Sequence, residues 1–196
     1  MSDLLTDFSV ADIQRAVRYG MTDSRQDVAV RNVAWGFFRN IEVDLLTVSR
    51  SDYLHDWEIK RSWSDFLADF KKKHFHDDIR IKHLTFCLPD CIAGEKLKSW
   101  CAENYKSFRR DFDFVFYTAT GNECKVHDTM RLESIYDGGM MVGRKRVPNN
   151  PYHVSDYITE DMRAEIVAND KAAPYRRRLF LEEKCDLFRL AAIKAF

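Results

Sequence analysis

The sequence predicts an α/β fold, and three observations carry that expectation. Short runs with β-branched residues or period-two alternation, such as 28–33 (VAVRNV) and 41–48 (IEVDLLTV), interleave with apolar stripes of helical period. Ser9 and Ser62 stand where helices are expected to start, each followed three residues later by an acid. The composition is that of a packed domain, 45% hydrophobic and 32% charged over 196 residues, with only 7 Gly and 4 Pro. Such scarcity of Gly and Pro excludes a collagenous, linker-like or mostly disordered chain. The length suits a single domain over 1–196 with a sizeable core.

The elements follow in order. Ser9 and Asp12 open a helix whose face is Val10, Ile13, Ala16 and Val17, and Gly20 is its expected end. Residues 28–33 form a strand by β-branching. In 41–48, alternation sets Ile41, Val43 and Leu45 on one face and Glu42, Asp44, Leu46 and Val48 on the other. The turn 49–52 leads into 53–60 (YLHDWEIK), the second arm of a hairpin. There Leu54, Asp56, Glu58 and Lys60 share a face, opposite Tyr53, His55, Trp57 and Ile59. Ser62 then caps a helix with the stripe Trp63, Phe66, Leu67, Phe70 and His74, ending in Lys71, Lys72 and Lys73. A strand over 81–88 stops at Pro89, a helix spans 94–104, and a strand spans 112–118. Beyond it, Gly121-Asn122 suggests a turn before a short strand at 124–127, 138–151 is loop-like, and helices are expected over 159–170 and from 174 to the end.

Charge and cysteine usage bound the function. The 31 basic and 31 acidic residues cancel, so no overall basic field draws nucleic acid from a distance. The acid-bearing start MSDLLTDFSVADIQ is unlike a signal peptide, and no apolar run approaches the roughly 20 residues of a membrane span. Five scattered cysteines (Cys87, Cys91, Cys101, Cys124, Cys185) then suggest reduced thiols and a cytoplasmic protein. Cys87, Cys91 and Cys101 with His83 are the nearest approach to a zinc set, but no second close-spaced pair completes it. Burial as small hydrophobes is the expectation for them.

The residues that carry chemistry are Asp44, Glu58 and Lys60. If the two strands pair as a hairpin, both carboxylates can project from one side of the sheet, where their repulsion calls for a cation. Mg²⁺ or Mn²⁺ takes carboxylate oxygens, acidifies a bound water and neutralises charge on a phosphoryl oxygen. Lys60, on the Glu58 face, can orient that water and stabilise transition-state charge. An acid facing solvent beside a lysine is the ordinary alternative for any one of these residues.

Element order shifts that weighting. The stretch IEVDLLTVSRSDYLHDWEIKRSWSDFLADFKKKH, with Ser62, Asp65 and Phe66, Lys71 to Lys73 and LTFCLP ending at Pro89, resembles the PD-(D/E)XK nuclease superfamily. It looks closest to small stand-alone members from bacterial and prophage genomes. The resemblance covers about 8–118. It implies a restriction-endonuclease-like core (helix, three strands, helix, strand; a central mixed sheet flanked by helices), with a hairpin and C-terminal helical extension over 119–196. It further implies metal-dependent hydrolysis of DNA in repair, recombination or phage-related processing. Asp44, Glu58 and the Ile59 backbone carbonyl would hold the metal, and Lys60 would assist the water. Val43 stands where the family often has Pro. Glu42, on the Asp44 face, is a candidate extra ligand, and Asp12 is the acid within the first helix. A catalytically silent member of the fold that binds DNA or a protein partner is the alternative.

Candidate DNA contacts are Lys71, Lys72 and Lys73, which equally suit dipole compensation, and the glycine-flanked Arg144, Lys145 and Arg146. Arg109-Arg110 and Arg176 to Arg178 are expected on solvated faces. Asp56 and His55 are expected to be structural, His74 and His76 to lie at the surface, and Trp35, Trp57, Trp63 and Trp100 to pack.

Overall fold

The computed structural model describes residues 8–21, 28–34, 37–39, 41–72, 76, 78–92, 94–104, 112–120, 123–126, 152–153 and 176–194. Lys73, His74, Arg144, Lys145, Arg146, Arg109-Arg110, Trp35 and the helix expected over 159–170 lie outside the described residues. The order is α1 (Val10–Met21), β1 (Val28–Val33), β2 (Val43–Val48), β3 (Leu54–Ile59), α2 (Trp63–Asp69), β4 (Ile81–Pro89), a 3₁₀ turn (Asp90–Ile92) and α3 (Glu95–Asn104). β5 (Asp113–Thr120), β6 (Glu123–Val126), β7 (Tyr152–His153) and α4 (Leu181–Lys194) complete it. The fold is therefore α/β, a mixed sheet flanked by helices.

The sheet runs β1-β2-β3-β4-β5-β6, with β7 paired to β5 beside β6. β1, β2 and β3 are antiparallel neighbours, while β3, β4 and β5 are parallel. The hairpin between β2 and β3 closes tightly because Ser49 accepts from Tyr53 through Oγ at 3.1 Å and Asp52 takes a left-handed φ of 65°. A short polar side chain tolerates that backbone region better than a branched one. The α2 crossover, by contrast, brings β4 in parallel to β3, as parallel pairing requires.

Two helix starts are built as the sequence predicts. Ser9 Oγ accepts from Asp12 N at 3.2 Å and Asp12 Oδ2 accepts from Ser9 N at 3.1 Å, a reciprocal capping box. Ser62 Oγ accepts from Asp65 N and Asp65 Oδ2 from Arg61 N, both at 3.1 Å. Two expectations are corrected. The helix from Ser62 ends at Asp69 with Phe70 as its C-cap, so Lys71 and Lys72 lie beyond the helix. The last helix begins at Leu181, not near 174, because 176–180 are extended: Arg177 N donates to Ile79 O at 3.0 Å and Leu179 N to Asp52 O at 2.8 Å.

Alternation sorts the sheet into two faces. Under α1, Ile13 and Val17 pack on Leu45, Trp57, Ile59, Cys87, Val115 and Tyr117. The other face carries two separate clusters. Phe66 from α2 and Leu97 and Cys101 from α3 cover Leu84, Phe86, Leu88, Phe114 and Phe116. Leu179 and Leu187 from the C-terminal segment cover Val28, Val30, Leu46, Val48, Leu54 and Ile81. At about 25 cal/mol per Å² of buried apolar area, these clusters supply the main driving force for folding. Between them, on the same face, β3 carries Asp56 and Glu58, which belong to neither cluster.

No helix among the described residues is long and apolar enough to cross a membrane. The zinc alternative fails on geometry. Cys87 is buried under α1, Cys101 is buried on the opposite face, and Cys91 is exposed, so the three do not converge. Burial raises the Cys87 thiol well above its usual range and pushes that of Cys101 up to about 12, which leaves both as inert packing groups.

Candidate active site and metal centre

The β2–β3 register decides which acids meet. Leu45 faces Trp57 and Leu46 faces Asp56, and Asp44, next to Leu45 in β2, lies near enough for its charge to act on Glu58. The Ile59 N–H donates to Asp44 Oδ2 at 2.8 Å, which fixes the carboxylate against the end of β3. On the other side of β2, Gln14 of α1 donates to the Asp44 carbonyl at 2.7 Å and to Asn32 Oδ1 at 2.7 Å. Asp44 is partly exposed, and burial raises its carboxyl above the usual range despite the Ile59 N–H.

Lys60 is held from three directions. Its N–H donates to Cys87 O of β4 at 2.9 Å, and its carbonyl accepts from the Tyr117 hydroxyl of β5 at 2.8 Å. Its ammonium lies 2.6 Å from Glu58 Oε2 and 2.8 Å from Asp69 Oδ2, the last residue of α2. Burial opposes the charge, but those two carboxylates more than offset it and hold the lysine pKa above its ordinary value. Lys72, half-exposed beyond α2, also pairs with Asp69 and approaches Glu58 Oε2 at 3.9 Å.

The deepest part of the group was expected differently. His76 is 2% exposed, not a surface residue, and its Nδ1 lies 2.7 Å from Asp56 Oδ2 and 3.9 Å from Glu58 Oε1. Its Nε2 is 3.5 Å from Asp69 Oδ2. The correction goes with α2 ending early, at Asp69, and with a left-handed φ of 48° at His76. Such a backbone costs a non-glycine residue on the order of 1–3 kcal/mol and persists where surrounding contacts over-determine it. Burial would lower the imidazole pKa, but Asp56, Asp69 and Glu58 push it up to about 10. Asp69 is held well below the usual range because His76, Lys60 and Lys72 outweigh its burial. Glu58 goes the other way, up to about 8, because burial and the Asp56 charge outweigh Lys60 and His76.

Asp44, Asp56, Glu58 and Asp69 thus meet Lys60, Lys72 and His76, so even with the imidazole charged, the acids are in excess. Asp56 Oδ1 and Glu58 Oε1 are buried with no hydrogen-bond partner among the described residues. Unpartnered buried carboxylate oxygens are costly, and a divalent cation satisfies them. Asp56 Oδ1 and Glu58 Oε1 are therefore oxygens that could help hold a metal ion.

Of the residues singled out from sequence, Asp44, Glu58 and Lys60 come together here. Glu42 is exposed, just before β2, and is not among the acids gathered around Lys60. Lys71 is exposed beside Lys72. Asp12 is taken up by the Ser9 cap and Arg15. His55 lies on the α1 face, stacked on Trp57 at 3.9 Å between ring centroids and bonded to Thr85 Oγ1 at 2.7 Å. Sequence reasoning missed Asp69 and His76 as members, and took Asp56 as merely structural. The available signal for Asp56 was its place on the Glu58 face. Comparison with protein-family models, with curated proteins and with solved structures returned no match.

Proposed function

We propose that this chain is a metal-dependent nuclease of the PD-(D/E)XK type that hydrolyses DNA phosphodiester bonds, in repair, recombination or phage-related DNA processing. The observation that carries the reading is the placement of Lys60 Nζ 2.6 Å from Glu58 Oε2, with the Asp44 carboxylate bonded to the Ile59 N–H at 2.8 Å, on a helix, three strands, helix, strand framework.

Asp44 and Glu58, with the Ile59 carbonyl, would hold Mg²⁺ or Mn²⁺. Such an ion lowers the pKa of a water and neutralises charge on the phosphoryl oxygen. The rest is done by the chain. The Lys60 ammonium has three N–H donors, of which two are directed at Glu58 and Asp69. The third can orient a water for in-line attack on phosphorus and stabilise the charge that builds on the phosphoryl oxygens as the ester P–O bond breaks. Fixation of Lys60 by Cys87 and Tyr117 keeps that donor aimed without reorganisation. Asp44 and Lys72 are the members that reach solvent, and Lys71 and Lys72 beside them supply backbone contacts to the DNA.

Burial favours one second reading. Lys60 is 4% exposed and already paired with two carboxylates, an arrangement equally suited to a catalytically silent nuclease fold that binds DNA or a protein partner. Nicking of supercoiled DNA by the purified protein with Mg²⁺ or Mn²⁺ separates the two. The nuclease reading expects nicking that falls by about 10²-fold or more in Glu58→Ala and Lys60→Ala. Undiminished nicking in both variants overturns it, and DNA retention without any nicking favours the silent reading.

A further inference from the structure

Asp44 accounts for one side of Glu58; the other side faces Asp56 and His76, which the nuclease reading does not use. We propose that Asp56, Glu58 and His76 form an inner transition-metal site, with Glu58 shared between it and the Asp44 side. Its use in DNA cleavage rests on the nuclease reading, whereas its existence rests on the geometry alone.

Each of the three residues offers one ligand atom, and those atoms all lie within 4.8 Å of one another. Asp56 is 0% and Glu58 2% exposed, and Asp56 Oδ1 and Glu58 Oε1 have no hydrogen-bond partner among the described residues. These are ligand oxygens with their desolvation already incurred. His76 supplies the selective element. A purely carboxylate set suits Mg²⁺ or Mn²⁺, while an added imidazole nitrogen shifts the preference towards Fe²⁺ or Zn²⁺, with Mn²⁺ the weaker occupant and a spectroscopic probe. A carboxylate also lies near the far nitrogen of the ring. Nδ1 faces Asp56 and Glu58, and Nε2 points at Asp69 Oδ2, 3.5 Å away. A carboxylate behind the far ring nitrogen fixes the tautomer and raises ligand basicity. On binding, the Nδ1 proton leaves to solvent, the Asp56–His76 hydrogen bond breaks and Nδ1 coordinates the ion. Asp69, in turn, is held by Lys60 and Lys72, which ties the inner site to the Lys60 ammonium.

The test is electron spin-echo spectroscopy of Mn²⁺ added to metal-stripped, full-length protein, with calorimetry alongside. Bound Mn²⁺ should show modulation from a directly coordinated imidazole nitrogen, altered by isotopic labelling of histidine. His76→Asn and Asp56→Asn should weaken that ion by at least about tenfold, and His76→Asn should abolish the nitrogen modulation. Asp44→Asn should leave the modulation in place. Zn²⁺ should displace the nitrogen-coupled Mn²⁺ where a large excess of Mg²⁺ does not. Absence of bound Mn²⁺, or Mn²⁺ bound without nitrogen modulation in the wild type, overturns the proposal whether or not the variants fold. So does modulation that survives in a folded His76→Asn protein. Nitrogen-coupled Mn²⁺ in a protein that never nicks DNA leaves this site standing and removes only the nuclease reading.

Discussion

Two charged clusters in this molecule use the same side-chain chemistry to opposite effect. One lies between the β3–β4 connection and the C-terminal segment. Arg80 donates to both Asp78 oxygens, at 2.8 and 2.6 Å, and to Glu183 at 3.3 Å, while Arg177 grips Glu183 in a fork at 2.7 and 2.6 Å. Glu183 also caps α4 through Phe180 N at 2.8 Å. Charges alternate, both guanidiniums face carboxylates, and the cluster is only partly buried. The other lies on β3, where acids outnumber bases, the inner members are buried, and Asp56 Oδ1 and Glu58 Oε1 have no hydrogen-bond partner among the described residues. The first cluster fastens α4 to the sheet. The second gathers ionisable groups at a stability cost, and that asymmetry is what the proposed function draws on.

The largest break in this contrast is expected at Lys60. Lys60→Met removes the buried ammonium that pairs with both Glu58 and Asp69, leaving them only half-exposed Lys72 and the more distant His76 ring. The metal-free protein should lose about 3–5 kcal/mol, measured by urea unfolding. A loss under about 1 kcal/mol would mean the cluster is more solvated than its burial indicates.

Glu58→Gln sharpens the contrast from the other side. The Glu58 pKa is raised from 4.5 to about 8, so the stability it contributes is present below about pH 4.5 and lost as pH rises through 8. His76, raised from 6.5 to about 10, acts in the same direction, present below 6.5 and lost through 10. Asp44, Asp56 and Asp69 with Lys60 and Lys72 are the charged groups facing them. Thermal unfolding of the metal-free protein should therefore move to lower temperature across that alkaline window. Glu58→Gln should remove the lower part of the decline and gain on the order of 1 kcal/mol over wild type at pH 9. A wild-type melting temperature that holds steady or rises from pH 5 to 9 contradicts the assignment of strain to this site.

The smallest effect belongs to the stabilising cluster. Glu183 is held down to about 2, chiefly by the Arg177 hydrogen bonds, so its contribution is present above about 4.5 and lost as pH falls towards 2. Glu183→Gln should cost about 1 kcal/mol at neutral pH, and the difference from wild type should vanish in acid. A variant that melts like wild type at pH 7 would show that the fork adds nothing to the docking of α4.

How far the sequence revealed this arrangement varies by residue. The Ser9 and Ser62 caps, the β2 and β3 faces and the order of elements were legible, because each depends on neighbours within a few residues. The end of α2 was not. The stripe through Phe70 and His74 continued the helical period, yet the helix stops at Asp69, Phe70 and Lys71 form a turn and His76 takes a left-handed backbone. That reversal is set by Asp56, Asp69 and Glu58 around the imidazole, contacts made across the fold. Likewise Asp56 looked structural beside Glu58 until a histidine 20 residues away met it.

What the sequence determined by itself is therefore local: which residues cap, which alternate, that Glu58 and Lys60 share one face of their strand, and that Asp44 shares the Leu46 face of its own. Period-two alternation is a property of the extended backbone and needs no partner to hold. Only the tertiary structure decided that this side is sealed between two apolar clusters, that Asp69 and His76 complete it, and that its acids exceed its bases. Those outcomes depend on where α2 ends and on β4 lying parallel to β3, and both are fixed by packing between segments far apart in the chain.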